Sequence, residues 1–218
     1  MYCEFFNYNN CYCFKVQIRL LSFANHFQIM SGKLIIITAP SGSGKTSITR
    51  FLLAKYPKLA FSVSAATRSP RGKEKDGVDY YFMTLEEFEY KIQKNDFIEW
   101  EMVYEGNYYG TLKGEIERIW AQGKTPMLDI DVKGAIHVQR QFPDNSLTIF
   151  VQPPSVDELR IRLEGRGTDT PENIETRLSK AAYELSFNHS FDKVIVNDDL
   201  EKACKETEDT IQAFVKID

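Results

Sequence analysis

Leu34-Ile-Ile-Ile-Thr-Ala-Pro-Ser-Gly-Ser-Gly-Lys-Thr46 decides how this chain is read. Leu34–Ile37 is a short apolar run rich in β-branched residues, the composition of a strand buried on both faces. A Gly/Ser turn follows. Beyond it Ile48, Phe51, Leu52 and Lys55 recur at three-to-four spacing, a helical pattern stopped before Pro57. Strand, glycine-rich turn and amphipathic helix, in that order, are the setting a phosphate-binding loop requires. Gly42 and Gly44 let backbone N–H groups converge on phosphates, adding to the positive end of the helix. Lys45 is expected to bridge β- and γ-phosphates, and the Thr46 hydroxyl to ligate Mg2+. The candidate ATP site is thus Ala39, Pro40, Ser41, Gly42, Ser43, Gly44, Lys45, Thr46 and Ser47. The strict motif has Gly where this chain has Ala39, but the residues that touch phosphate are intact.

Outward from the loop the pattern alternates. Strands are predicted at Phe61–Ser64, Pro126–Ile130, Leu147–Val151 and Lys193–Val196, and helices near Glu115–Gln122, Val156–Glu164, Pro171–Ser186 and Glu201–Phe214. Such alternation implies an α/β fold with a mostly parallel sheet covered on both faces. With the phosphate loop after its first strand, the expected class is a P-loop NTPase three-layer core. Residues 65–112, rich in Tyr, Gly and charge, break the alternation and are long enough to be an inserted subdomain. Glu164–Pro171, polar with two glycines, reads as part of a mobile lid. The expected division is an atypical extension over 1–29 and a domain over 30–214. Within that domain the core covers 30–63 and 113–214, the insertion about 64–112 and the lid about 154–171.

With 218 residues, 43% of them hydrophobic, the chain can bury one full core. A net charge of −4 argues against nucleic acid as a partner, while local arginine clusters can still attract small anions. Cys11 and Cys13 form a C-x-C pair with no second pair or His cluster to complete a zinc site, so these two, with Cys3 and Cys204, read as free thiols of a reducing cytoplasm. No apolar run is long enough to span a bilayer, and the first residues lack the basic segment of a signal peptide. Residues 1–29, crowded with Phe, Tyr and Asn, show no sustained period, and Met30 reads as the physiological start.

Ser62-Val-Ser-Ala-Ala-Thr-Arg-Ser-Pro-Arg71 narrows the chemistry. Arg68 and Arg71 flank Pro70, and two guanidinium forks near each other suit a phosphate monoester dianion. Standing alone, such a pair would be read as solvated surface arginines.

That segment together with Asp76-Gly-Val-Asp-Tyr80, Phe97-Ile-Glu-Trp100, Gly106-Asn-Tyr-Tyr-Gly-Thr111, Leu128-Asp-Ile-Asp131 and Asp192-Lys-Val-Ile-Val-Asn197 resembles the guanylate kinase family in order and spacing over about residues 32–214. Gly72-Lys73 departs from the usual Pro or Ala followed by Gly, and Thr111 stands where Ser is frequent. The resemblance implies transfer of a phosphoryl group from ATP to GMP, and also to dGMP, with Mg2+, in purine nucleotide metabolism. It implies a GMP-binding insertion whose phosphate ligands are Arg68, Arg71, Tyr80 and Tyr109, and whose guanine ligands are Ser64, Glu99, Thr111 and Asp131. Arg162, Arg166 and Arg177 match arginines that close on the ATP phosphates, and Asn197 matches a contact to adenine. Asp131 has an additional water-mediated metal role open to it, while Asp129 is left between orienting metal-bound water and capping a loop. Tyr81 receives no role.

Chemistry supports the guanine assignment independently. Guanine presents N1–H and an exocyclic amine, two donors that one Glu99 carboxylate can accept together. Adenine, whose N1 is an acceptor, would leave that carboxylate unpaired, and sites of this kind discriminate by roughly 10⁴-fold. By alternation alone Glu99, between Ile98 and Trp100, would face solvent, and about half of Tyr80, Tyr81, Tyr108 and Tyr109 would be core. No general base is required, because the attacking phosphate oxygen is already anionic; His26, His137 and His189 fall outside the motifs. The alternative is a non-catalytic guanylate-kinase-like binding module, against which stand the intact Gly44, Lys45 and Thr46.

Overall fold

The computed structural model describes residues 32–216 except 105, 166, 168 and 169. The expectations on residues 1–29, on Met30, on Cys3, Cys11, Cys13 and His26, and on Arg166 lie outside the described residues.

Strand β1 (Leu34–Thr38) is buried along its whole length because it is flanked on both edges. β7 (Thr125–Asp129) pairs with it on one side and β8 (Ser146–Gln152) on the other, both parallel. β2 (Leu59–Phe61) and β9 (Lys193–Val196) extend the sheet to the order β2-β7-β1-β8-β9, parallel throughout. Ile35 and Ile37 point to one face, where α1 (Lys45–Lys55) and α7 (Leu200–Val215) supply Ile48, Leu52, Ala203 and Ile211 to a single cluster. Each of those isoleucines removed from water is worth about 2 kcal/mol. α3 (Lys113–Ala121) packs on β7, and α4 (Val132–Gln141) on β1 and β8. Neither contributes to that cluster, so they cover the opposite face. The result is the three-layer α/β core that alternation predicts.

The predicted strand at Phe61–Ser64 is displaced. The sheet strand ends at Phe61, the Ser62 N–H still donates to the Met127 carbonyl at 2.9 Å, and Val63 and Ser64 already belong to the crossing that leaves the sheet. That crossing leads to a second sheet of order β4-β3-β6-β5, formed by β3 (Ala65–Ala66), β4 (Tyr81–Phe82), β5 (Phe97–Tyr104) and β6 (Asn107–Leu112). β5 and β6 are antiparallel neighbours, and α2 (Leu85–Gln93) covers the sheet. Phe88 of α2 stacks on Phe97 with ring centroids 4.3 Å apart. A reciprocal capping box between Thr84 and Glu87 starts that helix. α5 (Val156–Gly165) and α6 (Pro171–Leu185) pack together through Leu159, Leu163, Ile174 and Leu178.

Candidate active site

The turn after β1 adopts the geometry its glycines allow. Gly42 and Gly44 have φ of 99° and 94°, values L side chains rarely adopt. Gly44 is the N-cap of α1, no side chain caps that helix, and its first residues, Lys45, Thr46 and Ser47, line the cavity beside the loop. A Cβ on Gly44 would collide with Asn197 Nδ2. Asn197, only 5% exposed, instead donates from that nitrogen to the Ser43 carbonyl at 2.7 Å. Ser43 is likewise fully buried and turned away from the cavity. Both side chains lie beneath the loop, and Asn197, the residue after β9, braces it from below.

Ala39, Pro40, Ser41, Gly42, Gly44, Lys45, Thr46 and Ser47 line one wall of a cavity of about 510 Å³. Lys45 Nζ pairs with Asp129, the last residue of β7, so the carboxyl ends of adjacent parallel strands meet at this wall. Asp131 also lines the cavity and caps α4 by accepting from the Gly134 N–H at 2.7 Å. Asp131 is thus the N-cap of α4, while Asp129 is engaged by Lys45.

The same cavity is also lined by Ser64, Arg68, Arg71, Tyr80, Glu99 and Tyr109, from the crossing out of the first sheet and from the second sheet and its loop. The Arg68 side chain, 9% exposed, donates from Nε to Tyr109 Oη at 3.1 Å and lies 4.8 Å over the Tyr80 ring. Glu74 grips the guanidinium bidentately at 2.6 and 2.8 Å and also accepts from the Arg71 N–H at 2.7 Å. Hydrogen bonds from Arg68 and then from that amide hold the Glu74 carboxyl down to about 2. Glu74 is absent from the cavity lining, so it holds Arg68 from behind. Burial pushes the Tyr80 phenol up.

Glu99 is 6% exposed rather than solvent-facing, and its carboxylate accepts from Thr111 Oγ1 at 2.6 Å. Thr111 is itself buried behind Glu99 and does not reach the cavity wall. Burial pushes Glu99 up to about 7, the Thr111 hydrogen bond working against it and the Asp131 charge adding to it. Room for the carboxylate comes from Gly134, where a Cβ would sit 2.8 Å from Glu99 Oε2.

Of the lid arginines, Arg177 on α6 lines the cavity and donates to Ser41 Oγ at 2.6 Å. Arg162 does not line it. Its guanidinium donates to the Asn197 carbonyl and to Glu158, each at 3.0 Å. One and two turns past Arg177, Lys180 and Glu184 also face the cavity, and burial raises the Glu184 carboxyl. Sequence reading missed both, although their i+3 and i+7 spacing from Arg177 puts them on one face. Among the described residues no group of three or more His, Cys, Asp or Glu is arranged to hold a metal, and no helix is long and apolar enough to cross a membrane.

A parallel sheet with a glycine loop and lysine at the carboxyl end of its central strand makes this a protein of the P-loop NTPase class. The guanylate kinase family matches residues 31–214. A guanylate kinase of Bacteroides thetaiotaomicron is 53% identical over 186 residues, 85% of this chain and 91% of the relative. One from Porphyromonas gingivalis is 47% identical over 184 residues, 84% of this chain and 98% of the relative. Among solved structures, guanylate kinase from Anaplasma phagocytophilum is 31% identical with a TM-score of 0.66, covering 84% of this chain and 85% of that one. The chain belongs to the guanylate kinase family.

Proposed function

We propose that this chain transfers the γ-phosphoryl group of ATP to GMP, and also to dGMP, giving ADP and the nucleoside diphosphate. One observation carries the reading: the glycine loop with Lys45 and the Arg68–Tyr80–Tyr109 group with Glu99 line the same cavity. A protein that only hydrolysed or sensed ATP would have no use for the second group.

In this reading the loop N–H groups and Lys45 hold the donor triphosphate. Arg68 and Arg71, with Tyr80 and Tyr109, hold the GMP phosphate, and Glu74 keeps Arg68 aimed at it. Glu99 accepts from guanine N1–H and its amine, with Thr111 orienting the carboxylate and Ser64 and Asp131 at the base edge. A GMP phosphate oxygen then attacks in line, so no side chain need remove a proton. Arg177 neutralises charge on the transferring group, joined by Arg162 and Arg166 as the segment 154–171 closes; closing excludes water as a competing acceptor.

The oxygen donors at the loop wall, Thr46 with Asp129 and Asp131, suit Mg2+, a hard cation that is held by few protein ligands and the substrate phosphates. Bound there, Mg2+ would offset charge on the β- and γ-phosphates. The core at 30–63 and 113–214 carries the donor side and lends Asp131 to the base edge, while residues 64–112 carry the rest of the acceptor side. We place the reaction in the cytoplasm. A binding module would have no need of Lys45 and Thr46 at an open loop.

The test is ADP release with ATP, Mg2+ and each of GMP, dGMP, AMP, UMP and TMP. Turnover with GMP and dGMP at least about 10³-fold above the others is expected. ADP release indifferent to the acceptor would refute the reading.

A further inference from the structure

The chain crosses twice between its two sheets. It leaves through Ser62–Ser64, between β2 and β3, and returns where β6 runs into α3 at Leu112 and Lys113. Glu115 lies in the first turn of α3, just past the return, and is 4% exposed. A carboxylate buried to that degree is strongly unfavourable unless its oxygens are satisfied.

Four donors satisfy them. Oε1 accepts from the Val63 N–H at 3.2 Å and from Arg118 Nη2 at 2.8 Å. Oε2 accepts from Tyr81 Oη at 2.9 Å and from Arg118 Nε at 2.8 Å. Arg118 sits one turn along the same helix and is half exposed; it balances the charge but joins nothing together. Val63 and Tyr81 come from elsewhere: Val63 is on the outgoing crossing and Tyr81 begins β4 of the second sheet. Burial pushes the Glu115 carboxyl up, but the Arg118, Val63 and Tyr81 hydrogen bonds together outweigh it and hold the group below the usual carboxylate range. It is an anionic acceptor at neutral pH.

The chain neighbours of these two partners matter. Ser64 follows Val63, Tyr80 precedes Tyr81, and both Ser64 and Tyr80 line the cavity. The Tyr81 N–H also donates to the Ser64 carbonyl at 2.9 Å, so the two segments are already laced together through their backbones. Glu115 ties the same two segments from the core side.

We infer that Glu115 is a positioning residue for the acceptor half of the cavity: it sets Ser64 and Tyr80 relative to each other and to α3 by holding Val63 and Tyr81. The kinetic consequence rests on the reading given under Proposed function; the structural one does not.

Glu115→Gln keeps the size but leaves a single acceptor oxygen and turns an NH₂ towards donors. Two measurements test it on the full chain. In the free protein, amide hydrogen exchange is expected to quicken over residues 62–66 and 80–83 while β1 is unchanged. In steady state, KM for GMP is expected to rise about tenfold, with KM for ATP within about twofold of the parent. Tyr81→Phe removes one of the four bonds and should give a smaller shift of the same kind; it carries the test if Glu115→Gln does not fold. Unchanged exchange at 62–66 and 80–83 in the folded variant, or equal rises in both KM values, would overturn the inference. Quickened exchange there in a protein that never used GMP would leave the inference standing and remove the substrate.

Discussion

The two walls of the cavity are made in different ways. In the proposed function the donor wall is one nearly contiguous run within Ala39–Ser47, between a strand and the helix it starts, and it would work through backbone N–H groups beside two positive-φ glycines. The acceptor wall is assembled from the β2–β3 crossing, the loop to β4, two strands of the second sheet and the start of α4, and it works through side chains. A wall made of backbone is tolerant of side-chain identity and intolerant of changed φ. A wall made of side chains is the reverse, and each member needs a support: Glu74 behind Arg68, Thr111 behind Glu99, Gly134 beside it.

Breaking the donor wall should have the largest effect. Gly44→Ala combines a φ of 94° with a collision against Asn197, and is expected to lower kcat by more than about 10³-fold. GMP binding measured by calorimetry should stay within about threefold, because no acceptor residue is touched. Equal loss of GMP binding would mean the walls are not separable.

Next in size is Glu99→Gln, which keeps the shape of the acceptor wall and removes one of its acceptor oxygens. Its kcat/KM for GMP should fall about 10²-fold or more, and the preference over AMP should narrow. The same residue yields a subtler linkage. With its carboxyl at about 7 in the free protein, Glu99 is half protonated near neutrality. Guanine donors favour the ionised form, so binding should release about half a proton at pH 7 beyond what Glu99→Gln releases, read from binding heats in buffers of different ionisation enthalpy. GMP affinity should then weaken as pH falls below 7. For the free protein the sign is set by a folded value above the ordinary 4.5: stability contributed by protonated Glu99 is present at low pH and lost as pH rises through about 7. Identical proton release by the two proteins would take Glu99 out of the base site.

The same contrast explains what could be read from the residues. The donor wall was legible because every determinant lies within nine positions, and burial of β1 follows from its composition. Arg68 and Arg71 were legible as a guanidinium pair around Pro70, but Glu99 and Tyr109 entered through resemblance; by alternation Glu99 would have been exposed, whereas it is buried opposite Thr111. The support of the loop by Asn197, 154 positions from Ser43, has no local signal. Helix α4 went unread, although Asp131 as a cap with Val132, Ala135 and Val138 at threefold spacing marks it, because Gly134 interrupts an otherwise helical run. Tyr81 carried no readable role, since its partner Glu115 reads as one of many helix-surface acids until burial shows otherwise.

The central claim is that both walls act on one phosphoryl group. Incubating the full chain with ATP labelled at the γ-phosphate, GMP and Mg2+, and separating the products, tests it directly. Label appearing in the β-phosphate of GDP, one per ADP formed, is the expected result. Label released as inorganic phosphate at the same rate with or without GMP would contradict it.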